Sequence, residues 1–145
     1  MQRMPSGGGG LGAYRRVQAE TAEPADLVLM LYDGLLRNLA RGERAIEQGR
    51  NDDASNALIR SQEIVLELIA SLDLEAGGDE GALSMRLASV YEYCYRRLVE
   101  ANLRKQAAPA REVATLVGRV REAWAQSAIG AVAFGDGRPP LAASA

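Results

Sequence analysis

The residues of this chain that could do chemistry cluster in one stretch, VYEYCYRRL (Val90–Leu98). Three tyrosines there surround Cys94, the single cysteine of the chain. Histidine is absent, so Cys94 has no imidazole base to make it a nucleophile, and Ser-His-Asp, Glu-x-x-His and haem-ligating arrangements are excluded. A lone cysteine also excludes an intrachain disulfide and is typical of a reducing compartment. We predict a buried, unreactive thiol and no enzymatic activity.

The three tyrosines differ in their predicted positions. Helical spacing places Tyr91 on the same apolar face as Cys94, with Tyr95 at the edge of that face and Tyr93 on another side. Tyrosine packs its ring in a core while its hydroxyl reaches water or a polar partner. Core packing with a wetted hydroxyl is therefore favoured over an aromatic binding site.

Charge argues against a nucleic-acid partner. The net charge is −2 and the isoelectric point is about 5.3, so no global field attracts a polyanion. Arg37, Arg41 and Arg44 share one face of a predicted helix and could form a basic patch. Elsewhere an arginine follows a glutamate by four residues, as Arg104 follows Glu100, which is the spacing of intrahelical ion pairs. A solvated arginine face is the favoured interpretation.

Membrane insertion, secretion and metal binding lack a sequence signal. No apolar run approaches the roughly 20 residues of a membrane span, and the N-terminus has no signal-type apolar core. We therefore predict a cytoplasmic protein. A carboxylate metal site in a helical core would need acidic residues on the inward faces, and the predicted inward faces carry none. We predict no metal and no cofactor.

The elements that position these residues are four predicted helices. The first begins near Pro24 and ends near Gly49, the second carries its apolar stripe to Leu72, and the turn LDLEAGGDEG follows. The third carries its stripe from Leu83 to Ala101, and the fourth begins near Pro109. Short connections predict an all-α, antiparallel up-down four-helix bundle. We assign residues 13–130 to this domain, including a short N-terminal cap segment, and residues 1–12 and 131–145 to flexible termini.

These helices carry more apolar surface than one core-facing stripe requires. In LVLMLYDGLL the five residues Leu27–Leu31 are all apolar, so they point to every side of a helix. Second ridges also lie off the stripes of three helices, at Leu29 and Leu36, at Ile59 and Leu66, and at Met85, Val99 and Leu103. Such ridges could form grooves for partner helices. The alternative is that bundle cores are wide and that single exposed leucines are common.

An aspartate and a glycine within the first predicted helix are unusual for a helix interior. Asp33 lies inside the apolar run, where it is either a polar anchor at the rim of a groove or an ordinary exposed side chain. Gly34 costs about 1 kcal/mol against alanine inside a helix. A close approach by another backbone, from a neighbouring helix or a bound segment, would account for it.

At this point the sequence resembles the FliS family of flagellin export chaperones. The resemblance begins in AYRRVQAETAEPADLVLMLYDGLLRNLARGERAI (Ala13–Ile46). The positions that match the family's motif there are Tyr14, Gln18, Thr21, Pro24, Leu27, Leu31, Tyr32, Asp33 and Gly34. The turn Leu72–Gly81, the helix Tyr91–Gln106 and REAW (Arg121–Trp124) also agree. Glu23 departs from the family, which usually has Ser before the proline.

The resemblance implies a cytosolic bundle that holds the disordered C-terminal segment of flagellin along apolar surfaces before secretion. This would prevent premature polymerisation and deliver flagellin to the flagellar type III export apparatus. The resemblance also implies that the N-terminal segment contacts the export gate protein FlhA, and the matching positions are Leu11 and Tyr14. We expect this segment to cover one groove when flagellin is absent and to move away when flagellin binds.

The candidate contact residues for flagellin follow from the ridge pattern, not from the resemblance. They are Leu29, Leu36, Ile59, Leu66, Val99 and Leu103. The alternative function is a structural helical bundle that self-associates through the same ridges and carries no flagellin. Even a flagellin chaperone with this surface would be expected to self-associate weakly without cargo.

Overall fold

The computed structural model describes the backbone of residues 24–134 and the side chains of residues 26–127. Over this range it contains four α-helices and no strand. They are α1 (Pro24–Glu47), α2 (Asn51–Ala70), α3 (Gly78–Arg104) and α4 (Ala107–Phe134). The predicted four-helix bundle is confirmed. The start of the first helix at Pro24 is also as predicted, whereas α4 continues four residues into the predicted C-terminal tail.

The bundle is antiparallel, and ion pairs between α1 and α4 show the register directly. Arg121 Nε lies 2.8 Å from Asp33 Oδ1, and Arg111 Nε lies 3.0 Å from Glu43 Oε2. A step of ten residues forward along α1 therefore corresponds to a step of ten residues backward along α4. Each helix packs mainly against two neighbours: α1 against α2 and α4, and α3 against α2 and α4.

Short turns with left-handed residues make the reversals. After α1, Gly49 has φ of 72°, and the N–H of Arg50 donates to the carbonyl oxygen of Ala45 at 2.8 Å. After α3, Lys105 has φ of 51°, and its Nζ donates to the carbonyl oxygen of Asn102 at 2.8 Å. That hydrogen bond holds a cation against the negative end of the helix.

The connection between α2 and α3 is shorter than the sequence predicts. We expected a turn from Leu72 to Gly81, but α3 already begins at Gly78. Gly81 therefore lies in the first turn of α3, where it is buried. A Cβ atom at this position would overlap the carbonyl oxygen of Ala76, which belongs to the connection itself. The connection folds back so closely on the helix that only glycine fits there.

The core follows the predicted stripes on all four helices, with one addition on α1. Its members are Tyr32, Leu35, Leu39, Leu58, Ile64, Val65, Leu68, Tyr91, Cys94, Leu98, Ala101, Ala110, Val113 and Val117. On α1 the predicted stripe residues Leu35 and Leu39 are buried, and Val28 and Leu31 are partly buried and pack against the core. The stripe omitted Tyr32, which is 1% exposed and widens the inward face of α1.

Polar contacts also join α3 to its two neighbours. Ser55 Oγ on α2 donates to Asn102 Oδ1 on α3 at 3.0 Å. On the other side, the Tyr93 hydroxyl and the Arg97 guanidinium both donate to the Glu112 carboxylate of α4, at 2.6 and 2.7 Å. These two hydrogen bonds, first from Tyr93 and then from Arg97, lower the pKa of Glu112. They identify which face of α3 meets which neighbouring helix.

Replacing glycine by alanine should have opposite effects on the free energy of unfolding at two positions inside helices. Gly118 in α4 has open space where a Cβ would lie, so Gly118→Ala should raise the free energy of unfolding by about 0.5–1 kcal/mol. Gly81→Ala should lower it by about 1–3 kcal/mol, because the connection would have to move away from the new methyl group. Urea unfolding of the two variants checks this. Equal effects at the two positions would contradict the account of Gly81.

Candidate partner-binding surface

The exposed apolar surface of the described helices lies mainly at the junction of α2 and α3. Ile59, Leu66 and Leu103 are 45%, 48% and 80% exposed, and Val99 is partly buried. We name these four residues the α2–α3 ridge. They are the residues that the ridge pattern predicts on these two helices, and Met85 on α3 is exposed as well.

The hydrogen bond between Ser55 and Asn102 shows why both halves of the α2–α3 ridge face the same side. At 100° per residue, Ile59 and Leu66 lie within about 40° of Ser55 around α2. On α3, Val99 is a neighbour of Asn102 three residues earlier, and Leu103 follows Val99 four residues later. Because Ser55 and Asn102 meet across the junction, the apolar side chains flank this junction on the outer side of the bundle.

Leu29 and Leu36 lie on another side of the bundle. Both are partly buried and pack against the core, so this second ridge is less exposed than Ile59, Leu66 and Leu103. Asp33, which lies between them on the same side of α1, pairs with Arg121. Leu29 and Leu36 therefore lie at the junction of α1 with α4, opposite the α2–α3 ridge.

The structure resolves the two questions posed by α1. Arg121 Nε and Nη2 donate to the two carboxylate oxygens of Asp33, at 2.8 and 3.4 Å, and this contact raises the pKa of Arg121. Asp33 is thus a polar anchor, but its described partner is α4. A Cβ at Gly34 would be in ordinary contact at 3.7 Å from Arg37 Nη2 and Ile64 Cδ1. Close approach by a neighbouring helix is therefore a wrong explanation of Gly34.

The close approach of helices occurs instead at Gly42. A Cβ there would lie 3.1 Å from Leu58 Cδ2, which is tight for two carbon atoms. Three exposed arginines, Arg37, Arg41 and Arg44, follow the outer face of α1, as predicted. Within the described part of the chain these arginines make no ion pair.

A second apolar feature is a cavity of about 220 Å³ at one end of the bundle. It lies between the start of α1, the α2–α3 connection, the start of α3 and Trp124 of α4. We name it the end pocket. Its lining residues are Val28, Tyr32, Ser71, Leu72, Asp73, Ala76, Glu80, Leu83, Ser84, Leu87, Tyr91 and Trp124.

Tyr32 and Tyr91 form the buried polar part of the end pocket. They are 1% and 2% exposed, and their hydroxyl oxygens lie 2.5 Å apart. Burial raises the pKa of both phenols, so both keep their protons at neutral pH. We predicted the core position of Tyr91 correctly, but its hydroxyl bonds to Tyr32 instead of water. The spacing of Tyr32, Leu35 and Leu39 on one helical face is the signal for Tyr32 that we missed.

The other candidates for chemistry behave as structural residues. Cys94 is fully buried, and burial raises the pKa of its thiol to about 11, which confirms the buried, unreactive thiol. Tyr95 packs at the edge of the core and Tyr93 is exposed, both as predicted. Among the residues that the structure describes, no three carboxylate or cysteine side chains form a cluster suited to a metal ion.

Leu11 and Tyr14, the predicted contacts of the N-terminal segment, lie outside the described residues, as does the side chain of Pro24. Of the described helices, none combines the length and the apolar character needed to cross a membrane.

The described helices carry an exposed apolar ridge and an end pocket, which are features that suit contact with another protein. Comparison with known sequences identifies the family. Residues 10–131 match the model of the family described as "Flagellar protein FliS", and the chain belongs to this family.

Several relatives support this membership over most of their length. The flagellar secretion chaperone FliS of Salmonella typhimurium is 37% identical over 122 residues, which are 81% of this chain and 88% of the relative. The flagellar secretion chaperone FliS of Bacillus subtilis is 35% identical over 115 residues, 79% of this chain and 83% of the relative. Flagellar secretion chaperone FliSB of Pseudomonas aeruginosa is 32% identical over 107 residues, with coverages of 74% and 82%.

The buried tyrosine pair leads to a prediction about stability. Tyr91→Phe should lower the free energy of unfolding by about 1–2 kcal/mol, because it leaves the Tyr32 hydroxyl buried without its partner. Tyr32→Phe should act in the same way. The double variant should cost less than the two single variants together, because it removes both hydroxyls. Urea unfolding of the four proteins measures this coupling, and simple additivity would contradict a hydrogen bond between the two residues.

Proposed function

We propose that this chain is a cytosolic flagellar export chaperone that binds the disordered C-terminal segment of flagellin. Binding would prevent premature polymerisation and keep flagellin ready for delivery to the flagellar type III export apparatus. Membership of the FliS family and the names of its relatives, flagellar secretion chaperones, support this proposal. The structural observation that carries it is the α2–α3 ridge, which stays exposed although the core beneath it is complete.

The geometry of the α2–α3 ridge suits a helix from the partner. Its side chains border a groove between two antiparallel helices, and a partner helix fills such a groove with apolar residues at positions i, i+3 or i+4, and i+7. Leu29 and Leu36, at the opposite junction, are the candidate contacts for a second part of the same segment. A segment that reaches both must be extended around the bundle, as a disordered chain can be.

The energetics fit binding followed by release. Ordering a disordered segment costs on the order of 2–5 kcal/mol, so a large contact area gives only moderate affinity. A moderate affinity lets the export machinery take over the cargo. The mechanism requires neither catalysis nor a cofactor, since it consists of covering and uncovering apolar surface.

The N-terminal segment has a part in this proposal. We propose that Leu11 and Tyr14 contact the export gate protein FlhA, and that the segment covers an apolar surface in the absence of flagellin. Tyr14 lies ten positions before Pro24, a reach of up to roughly 33 Å when extended. The end pocket lies within this reach, because Val28 near the start of α1 lines it.

Calorimetric titration of the C-terminal segment of the cognate flagellin into the full chain tests the proposal. We expect a 1:1 isotherm with a negative heat-capacity change, which marks the burial of apolar surface. Replacing Ile59 and Leu66 together by Ser should weaken binding by at least about tenfold. Both side chains are about half exposed, so the fold should survive.

The matched control replaces Asn56 and Glu63 by Ser, which are also exposed, also on α2 and also seven residues apart. It should bind the segment like the unmodified chain. Absence of binding by an intact cognate segment would refute the chaperone function. The alternative, a self-associating bundle, would be supported if flagellin left the elution volume of the chain unchanged while the Ile59 and Leu66 variant eluted as a smaller species.

Limited trypsin digestion tests the proposed cover. Cleavage after Arg15 and Arg16 should become faster when the flagellin segment is added, because the N-terminal segment would leave the bundle surface. Tyr14→Ala should already be cleaved quickly without flagellin. If flagellin does not change the rate of cleavage at these sites, the N-terminal segment does not act as a displaceable cover.

A further inference from the structure

We propose that the end pocket is an anchor site for one bulky apolar side chain of the partner segment, presented together with a free carbonyl oxygen. This inference rests on the proposed function and specifies a contact that the α2–α3 ridge does not provide. It assigns to the cargo a short stretch that is not helical, with a large side chain and no acidic group beside it.

The size and walls of the end pocket fit a single large side chain. A dry cavity of about 150 Å³ inside a helical protein is large enough to bind benzene, and this pocket has about 220 Å³. Its walls are mostly apolar, contributed by Val28, Leu72, Leu83, Leu87 and Trp124. Burial of a leucine-sized or phenylalanine-sized group against such walls is favourable, because it removes apolar surface from water.

The tyrosine pair supplies one hydrogen-bond donor to this apolar space. Tyr32 and Tyr91 have two hydroxyl protons between them, and their mutual hydrogen bond uses one. Among the described residues the second proton has no acceptor, although both side chains line the pocket. Since both phenols are nearly fully buried, a ligand with an acceptor oxygen would satisfy a donor that is shielded from water.

Acidic side chains at the mouth of the end pocket disfavour ligands that carry a negative charge. Asp73 and Glu80 carry carboxylates at the mouth of the pocket, and their side chains are exposed. A carboxylate next to the anchor would be repelled, while a neutral or basic neighbour would be accepted. The acceptor that the tyrosine pair requires is therefore a neutral oxygen, such as a peptide carbonyl.

A free peptide carbonyl identifies the local structure of the bound segment. Inside an α-helix every carbonyl already accepts the N–H four residues ahead, and only the last four are free. The anchor must therefore lie at a helix C-terminus or in an extended stretch of the partner. The α2–α3 ridge would hold a helix, and the end pocket would hold the chain where that helix has ended.

The first experiment measures the chemistry of the pocket with two small probes of nearly equal shape, acetophenone and ethylbenzene. The chain has one tryptophan, Trp124, in the pocket wall, so its indole N–H resonance reports occupancy in an NMR titration. In the double variant with Tyr32→Phe and Tyr91→Phe, affinity for acetophenone relative to ethylbenzene should fall on the order of fivefold to tenfold. An unchanged ratio would overturn the role of the hydroxyl donor.

The N-terminal segment could itself occupy the pocket, so the titration is repeated in the full-length Tyr14→Ala variant. Binding of acetophenone to either protein, with the expected loss in the double tyrosine variant, supports the proposed chemistry. Failure of both probes to shift the Trp124 resonance in either protein would overturn the proposal.

The second experiment connects the pocket to cargo. Ser84→Phe places a ring in the pocket, while Ser89→Phe places the same ring on the exposed side of the same helix. Affinity for the flagellin segment should fall at least about tenfold in the first variant and stay within about twofold in the second. Folding of both is checked by urea unfolding.

The outcomes separate this inference from the proposed function. If Ser84→Phe excludes the probes but binds the flagellin segment like the unmodified chain, the anchor inference is overturned and the chaperone function stands. If the unmodified chain does not bind the segment, the proposed function is refuted and the anchor inference, which rests on it, is overturned with it. A loss of segment affinity in Ser84→Phe alone supports both.

Discussion

The hydrogen bond between Tyr32 and Tyr91 determines how α1 sits in the bundle. It connects α1 with α3, which are not the main packing neighbours of each other. Separating two buried hydroxyls would leave both without a partner, so the rotation of α1 about its own axis is fixed. The rest of α1 follows from this rotation: Leu36 turns towards α4, Asp33 reaches Arg121, and the arginines of the outer face meet water.

The same rotation decides where the surplus of apolar side chains goes. On α1 the surplus is absorbed, because Leu29 and Leu36 pack against the edge of the core. On α2 and α3 it is not, and Ile59, Leu66 and Leu103 remain in contact with solvent. The core is complete without these side chains, so the fold is stable while they are exposed. Covering them with a partner is nevertheless favourable, because apolar surface leaves water. The proposed binding of flagellin would cover this surface.

Periodicity alone predicts much of this architecture. The four helices and the stripes of α2, α3 and α4 follow from apolar residues spaced three and four apart, and Ile59 and Leu66 were correctly placed outside because they lie nearly opposite their stripe. On α1 the prediction omits Tyr32, since five consecutive apolar residues at Leu27–Leu31 define no unique face and the spacing of Tyr32 with Leu35 and Leu39 was missed. The partner of its hydroxyl is a second tyrosine, 59 residues away, and no local pattern contains that distant contact.

The placement of Leu29 and Leu36 opposite the α2–α3 ridge has a consequence for kinetics. Neighbouring helix axes are about 8–10 Å apart and a helix with its side chains is about 10–12 Å across, so the outer surfaces at the two junctions are roughly 20 Å apart. One flexible chain that holds both junctions is a bivalent ligand, in which each bound part keeps the other at a high effective concentration. Such a ligand dissociates slowly while both of its parts are bound. It can still be released stepwise from one free end, one part at a time, without a single large barrier.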